Sequence, residues 1–215
     1  MSSAAESLVD SKSTSAPDVV LRPGVLILSG GQGTRCGNRD KGWLEIRGEA
    51  LVVRRLRELS GNCWPLAISA NRTFDRYCAL GVPVFADTTP EFPGPLAAVS
   101  AALNAQFGNP LLTVPVDALT VSSAVLMRLL DASEGGQRPA YACDANGMQP
   151  LVAVWPANAL ARVDEALHER ALSVRALQRR LRAVPVDFPG DRFGNINTQA
   201  DLDTAERDSI RVAAC

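Results

Sequence analysis

Six short runs of the chain are apolar on consecutive positions: GVLILS (24–29), PLAIS (65–69), VPVFA (82–86), PLLTVPV (110–116), PLVAVW (150–155) and AVPVDF (183–188). A strand with one wet face alternates apolar and polar residues, whereas a strand covered on both faces does not. These runs therefore read as strands of a largely parallel sheet. The segments between them carry helical periodicity. ALVVRRLREL (50–59) sets Val52, Leu56 and Leu59 on one stripe, with Arg54, Arg55, Arg57 and Glu58 mostly elsewhere. GPLAAVSAALNAQF (94–107) groups Leu96, Val99, Leu103 and Phe107, with Pro95 suited to a first helical turn. SVRALQRRL (173–181) has a Ser173 cap and lines up Val174, Leu177 and Leu181, and TQADLDTAE (198–206) starts at a Thr198 cap. Strand–helix alternation of this kind predicts an α/β chain, a three-layer α/β/α sandwich around a mostly parallel sheet.

Composition removes several function classes. With 215 residues the chain suits one domain. Lys+Arg 22 against Asp+Glu 23 gives no global basic footprint for nucleic acid, and 5% aromatics argue against a stacking platform for single strands. The five cysteines, Cys36, Cys63, Cys78, Cys143 and Cys215, are scattered with no CxxC pair, which predicts neither a zinc site nor a disulfide framework and points to a reducing cytoplasm. The one histidine, His168, is expected on a surface helix facing solvent. Residues 1–20 are small and polar with no apolar core of a secretory signal, so a disordered N-terminal tail is expected before a single domain over 21–210. No apolar run approaches the ~20 residues of a membrane span.

The segment that folding alone explains least is LSGGQGTRCGNRDKG, Leu28 to Gly42, directly after the first apolar run. Glycines add conformational entropy to the unfolded chain, which folding must offset. At the carboxyl end of a parallel strand, however, they let backbone N–H groups approach phosphate oxygens. Arg35, Arg39 and Lys41 could neutralise a polyphosphate. The spacing is not that of a Walker loop, because Lys41 follows Asp40 and precedes Gly42. Nor is it a dinucleotide fingerprint, because Cys36 stands where the third glycine would be. A flexible strand–helix connection with solvated charges remains the bland alternative.

The segment resembles the signature loop of nucleotidylyltransferases with a glycosyltransferase-A-like fold, commonly Leu-Ala/Ser-Gly-Gly-x-Gly/Ser-x-Arg-Met-Gly-x-x-Lys. Its Asp40-Lys41-Gly42 ending makes it most similar to molybdenum cofactor guanylyltransferases. Further segments agree in order: ISANR (68–72), FADTTPEFPGPLAAV (85–99), VPVDAL (114–119), MQPLVAVW (148–155) and GNINTQADL (194–202), so that the resemblance spans about residues 24–205. It implies a Rossmann-like nucleotide-diphospho-sugar transferase fold. It also implies an enzyme that joins GMP from GTP to the terminal phosphate of Mo-molybdopterin and releases pyrophosphate, with Mg²⁺ as cofactor.

Carried onto this chain, the resemblance has Leu28, Ser29, Gly30 and Gly31 line the nucleotide, with Lys41 and Arg35 on the triphosphate. Asn71 and Asp87 would bind the guanosine part, Asp117 would hold Mg²⁺, and the start of the Gly94–Leu96 helix would approach the nucleotide. Asn195 and Asn197 would lie near the pterin, so that the N-terminal half binds nucleotide and the C-terminal half pterin. Arg35, Lys41 and Asp117 are the catalytic candidates. Taken singly, Asp87 and Asp117 could cap helices, and Asn71, Asn195 and Asn197 could form turns. Departures from the family pattern are Ser29 for alanine, Cys36 for methionine, Asn38 and Ala98 for glycine, Ala118 for proline after the aspartate, and Gln149 for histidine. Alternatives of the same chemistry are a molybdopterin cytidylyltransferase or a sugar-phosphate nucleotidylyltransferase. One of a different class is a non-catalytic nucleotide-binding module. The expected partners are the two substrates and molybdoenzyme chaperones or cofactor-insertion proteins, with no nucleic acid or membrane and a monomer or weak homo-oligomer.

Overall fold

The computed structural model describes residues 22–30, 40–86, 94–194, 196 and 200–204. Its centre is a seven-stranded sheet with neighbours in the order β5 (Val84–Phe85), β4 (Leu66–Ser69), β1 (Gly24–Leu28), β6 (Leu111–Pro115), β8 (Gly147–Trp155), β7 (Ala140–Asp144) and β9 (Val184–Asp187). A small hairpin, β2 (Glu45–Ile46) and β3 (Glu49–Ala50), stands apart from it. The pairings β4–β5, β1–β4, β1–β6 and β7–β9 are parallel, while β8 runs antiparallel to both β6 and β7. All strands but β8 thus point the same way, and the mostly parallel sheet expected from the apolar runs is present.

All five residues of β1 are buried, and they divide between two cores. Val25 and Ile27 pack with α1 (Leu51–Leu59) and α4 (Ser123–Ala132); Leu26 and Leu28 pack with α3 (Pro95–Asn104), α5 (Leu160–His168) and α6 (Val174–Arg180). This is the three-layer sandwich. Consecutive apolar residues are required because each face of β1 is roofed by helices, and every fully buried Leu, Ile or Val contributes about 1.5–3 kcal/mol. The short helix α2 (Phe74–Cys78) sends Tyr77 into the first of these cores.

Several elements differ from the sequence expectation. The apolar stripe of α1 excludes Arg55, yet Arg55 is buried at 2% exposure beside Leu51, Val52 and Leu59, while Leu56 is only partly buried. Its spacing explains this, since Leu51, Arg55 and Leu59 lie four residues apart on one face. Helix α3 ends at Asn104 rather than reaching Phe107, and Gln106 turns the chain at φ +52. Leu96 through Leu103 are all buried, because α3 is pressed between the sheet and α5, where Ser100 Oγ donates to Asp164 Oδ1 at 2.6 Å. Strand β7 and helices α2 and α4 were not anticipated. The β7–β8 hairpin turns through Ala145–Asn146, ahead of Gly147 at φ +103. The Ser173 cap is present, its Oγ accepting from Ala176 N at 3.3 Å, and His168 is exposed. Residues 200–204 are helical, whereas the Thr198 cap and the N-terminal tail lie outside the described residues.

Candidate active site

The register of three adjacent strands brings distant segments to one rim. Leu28 pairs with Ser69 on one side and Pro115 on the other, so the residues following β1, β4 and β6 emerge side by side. Ser29 N donates to Ser69 O at 2.9 Å, and Val116 N donates to Leu28 O at 3.0 Å. The chain leaves β1 toward β4 and β5, then returns on the other side of β1 as β6. The order in which strands are added therefore switches sides between the parallel strands β1 and β6, and the crevice at such a switch point is where open α/β sheets bind ligands.

A cleft of about 390 Å³ opens there, lined by Leu28, Ser29, Gly30, Lys41, Asn71 and Asp117 among others. These are six of the residues singled out in the sequence. Gly94 and Pro95 at the start of α3 also face it, as do Arg72 and Leu151. A Cβ built on Gly30 would come within 3.6 Å of Asn71 Nδ2, which puts the Asn71 amide beside the glycine backbone. Asp117 caps no helix, because α4 starts six residues later with Ser122 at its N-cap. Gly31, Arg35, Asp87, Asn195 and Asn197 lie outside the described residues, as do the departures Cys36 and Asn38.

The central contact of the cleft is an ion pair, Lys41 Nζ to Asp117 Oδ2 at 2.8 Å, with side-chain exposures of 23% and 13%. Each partner is held from behind. Lys41 opens a single 3₁₀ turn, Lys41–Trp43, whose N-cap Asp40 accepts Gly42 N through Oδ1 at 3.1 Å. Asp40 Oδ1 also accepts Tyr77 OH at 2.6 Å, and Oδ2 accepts Thr73 Oγ1 at 2.7 Å. Gly42 is fixed by close approach: a Cβ there would collide with Ser29 Oγ and Tyr77 OH. On the other side, the loop after Asp117 is held by the buried guanidinium of Arg55. Nη1 donates to Val121 O at 2.8 Å, and Nη2 makes a short bond to Ala118 O. Glu58 Oε2 balances its charge at 3.0 Å. Burial pulls the Arg55 pKa below its ordinary value, and the neighbouring Glu58 works against that.

A second aspartate stands at the end of β7 on the same edge of the sheet. Asp144 Oδ1 accepts Asn146 N at 2.8 Å and Gln149 Nε2 at 3.0 Å, and Oδ2 accepts Phe193 N at 2.9 Å. Burial works to raise its pKa, yet these bonds hold the carboxyl below the usual range, the Phe193 N–H contributing most among them. The same stretch is tied to the loop after β6: Leu119 N donates to Gly194 O at 3.2 Å, and Thr120 Oγ1 donates to Arg192 O at 2.7 Å. Gln149, one of the departures, thus serves Asp144. Among the described residues no group of three or more His, Cys, Asp or Glu side chains could hold a metal, and no helix is long and apolar enough to cross a membrane.

The sequence reading missed the roles of Asp40, Thr73, Tyr77, Arg55 and Asp144. For Asp40 a signal existed: an aspartate two residues before a glycine suits a capped turn. For Tyr77 there was none, since its partners are 37 and 48 residues away.

Comparison with known proteins identifies the family. The chain is 36% identical over 187 residues to a molybdenum cofactor guanylyltransferase from Acidiphilium cryptum, covering 84% of this chain and 92% of the relative. It is 33% identical over 207 residues to one from Rhizobium meliloti, covering 90% and 94%. Molybdopterin-guanine dinucleotide biosynthesis protein A from Archaeoglobus fulgidus superposes with a TM-score of 0.71 at 21% identity, covering 87% of this chain and 99% of that one. The CTP:phosphocholine cytidylyltransferase from Streptococcus pneumoniae superposes with 0.66 at 13%, covering 87% and 99%. At those identities the two structures speak for the nucleotidyltransferase fold alone. The family model of the MobA-like NTP transferase domain matches residues 25–184, and the chain belongs to that family.

Proposed function

We propose that this chain transfers GMP from GTP to the terminal phosphate of Mo-molybdopterin, forming Mo-molybdopterin guanine dinucleotide and pyrophosphate. The observation that carries this reading is the Lys41–Asp117 pair beside Ser29 and Gly30 at the β1–β6 crevice. It occurs in a chain whose relatives bearing the guanylyltransferase name match it over most of their length.

A terminal phosphate oxygen of the pterin substrate bonds to the α-phosphorus of GTP, and the bond from that phosphorus to the β-phosphate oxygen breaks, releasing pyrophosphate. A phosphate monoester has a second pKa near 6, so the attacking group is mostly ionised at neutral pH and needs no strong base. The difficulty is bringing two anions together, so positioning and neutralisation dominate. Lys41 can place its ammonium on the triphosphate, and Arg35 is proposed to assist it. Ser29 and Gly30 offer close backbone approach. Asn71 and Asp87 are proposed to bind the guanosine part, and Asn195 and Asn197 the pterin.

The residues present fit magnesium only together with nucleotide. Asp117 is a single carboxylate at the border of the cleft, and Mg²⁺ is usually held by one or two carboxylates, with phosphate oxygens and water filling its other positions. Bound there, the ion would withdraw charge from the phosphate oxygens. Within this chain, Asp117 pairs with Lys41 when substrate is absent, and binding of nucleotide gives the ammonium a phosphate partner in exchange. With GTP as donor, the reading carries a cytoplasmic setting and delivery of the product to molybdoenzyme chaperones or cofactor-insertion proteins.

Isothermal titration with GTP, CTP and ATP, with and without Mg²⁺, tests the reading. Selective GTP binding, lost in Lys41→Ala and stripped of its Mg²⁺ dependence in Asp117→Ala, is expected, followed by pyrophosphate release when Mo-molybdopterin is added. A preference for CTP would transfer the assignment to the cytidylyltransferase. Nucleotide binding with no pyrophosphate release would leave a binding module.

A further inference from the structure

The two ends of the glycine-rich segment, Ser29 and Asp40, meet on a single side chain that belongs to neither. Tyr77 of α2 is fully buried, with its hydroxyl 2.7 Å from Ser29 Oγ and 2.6 Å from Asp40 Oδ1. Proton inventory orders the chain. An ionised aspartate only accepts, so the one phenolic hydrogen goes to Asp40, and Ser29 Oγ must donate to the phenolic oxygen. Burial and the Asp40 bond raise the Tyr77 pKa well above its usual value, so the hydroxyl remains a donor throughout the neutral range. The ring itself is set by Trp43, 5.0 Å away between centroids, and the Arg76 guanidinium lies 3.7 Å over the Trp43 ring.

From Asp40 the chain takes one step to Lys41. The turn that aims Lys41 across the cleft is capped by the same carboxylate oxygen that receives the Tyr77 hydroxyl. A shift of Asp40 would therefore carry the Lys41 backbone with it. Gly42 is hemmed in by Ser29 Oγ and Tyr77 OH, so the turn cannot settle closer without collision. We propose that Tyr77, which neither faces the cleft nor contacts Asp117, is a positioning residue for the nucleotide, acting through Asp40 to hold Lys41. This rests on the nucleotidylyltransferase reading and deepens it. The serine at position 29 takes part, because its hydroxyl ties the start of the segment to the same phenol.

The test is a double-mutant cycle read by GTP titration in the presence of Mg²⁺. Tyr77→Phe keeps the ring and its packing on Trp43 and removes only the hydroxyl. With the turn beneath Lys41 loosened, GTP affinity should fall by roughly tenfold. In a Lys41→Met background, the same Tyr77→Phe change should cost far less, only the part that runs through Ser29, because the ammonium being positioned is gone. Asp40→Asn serves as a second probe should Tyr77→Phe fold poorly, and it should show the same coupling to Lys41→Met. Unchanged GTP affinity in a folded Tyr77→Phe protein would overturn the proposal, as would an equal loss in both backgrounds. Failure of the unaltered protein to bind any nucleotide would instead overturn the functional reading on which it stands.

Discussion

Asp117 and Asp144 are the same residue type in the same kind of place, just beyond β6 and at the end of β7 on one edge of the sheet. Their surroundings give them opposite chemistry. Asp117 meets a cation from a segment 76 residues away and borders an open cleft. Asp144, buried to the same degree as Asp117, meets three N–H groups, two from nearby in its own hairpin and one from Phe193. The first is held by a partner that a ligand can draw off. The second has its acceptor capacity taken up by the fold, where it fastens the 191–194 stretch beside the loop after β6. A strand-end carboxylate is therefore a site or a rivet according to whether its partners are exchangeable.

The sharpest way to break this comparison is to remove both charges in turn. Asp117→Ala should lower the rate of pyrophosphate release by about a hundredfold or more, in the range found for losing one group that stabilises transition-state charge, with little change in melting temperature. Asp144→Ala should do the reverse, so equal losses of activity from the two would erase the distinction. Next in size is Arg55→Leu, which removes the donors to Ala118 O and Val121 O. Denaturant titration should show a loss of about 2–3 kcal/mol, and GTP affinity should fall with it because the Asp117 loop is released. A fully active, undiminished Arg55→Leu protein would mean that the loop supports itself.

Asp144→Asn sharpens the other side. The amide must turn its NH₂ toward one of the three donors, and a cost of about 1–2 kcal/mol at neutral pH is expected. The pH dependence has a definite sign. Because the folded carboxyl titrates below its ordinary value near 3.9, the advantage of aspartate over asparagine is full above that pH and disappears as pH falls through the lower, folded pKa. Unfolding curves at neutral and strongly acidic pH measure it, and a gap that persisted in acid would contradict the bonding described. The smallest effect should come from Arg128→Ala. Arg128 lies 4.7 Å over the Phe188 ring and donates to Asp187 O at 2.7 Å on the exposed side of α4. A change of about 0.5–1 kcal/mol in stability, with pyrophosphate release unaltered, is expected.

Much of the nucleotide side was legible because its signals are local. GVLIL is apolar on every position, which only a strand roofed on both faces requires. Glycines beyond that strand, with Lys41 at their end, pointed to the edge of the sheet where the cleft opens. Asp117 followed another such run. The hairpin side was less legible. The Asn146-Gly147 pair is a local hairpin signal that could have revealed β7, but the reversal of β8 and the Asp144–Phe193 bond depend on how the sheet is ordered. Arg55 sits at core spacing on α1 despite its charge, because carbonyls of the distant 118–121 loop satisfy its guanidinium.

The sequence by itself therefore determined the layers, the parallel direction of most strands and the strand end at which the cleft opens. Those follow from periodicities and backbone freedoms that act over a few residues. Only the tertiary structure decided that Lys41 meets Asp117, that Arg55 is buried beneath the Asp117 loop, and that Tyr77 joins Ser29 to Asp40. Each of those pairings spans more than 35 residues, and over such distances the partner is chosen by strand order and register, which no local pattern encodes.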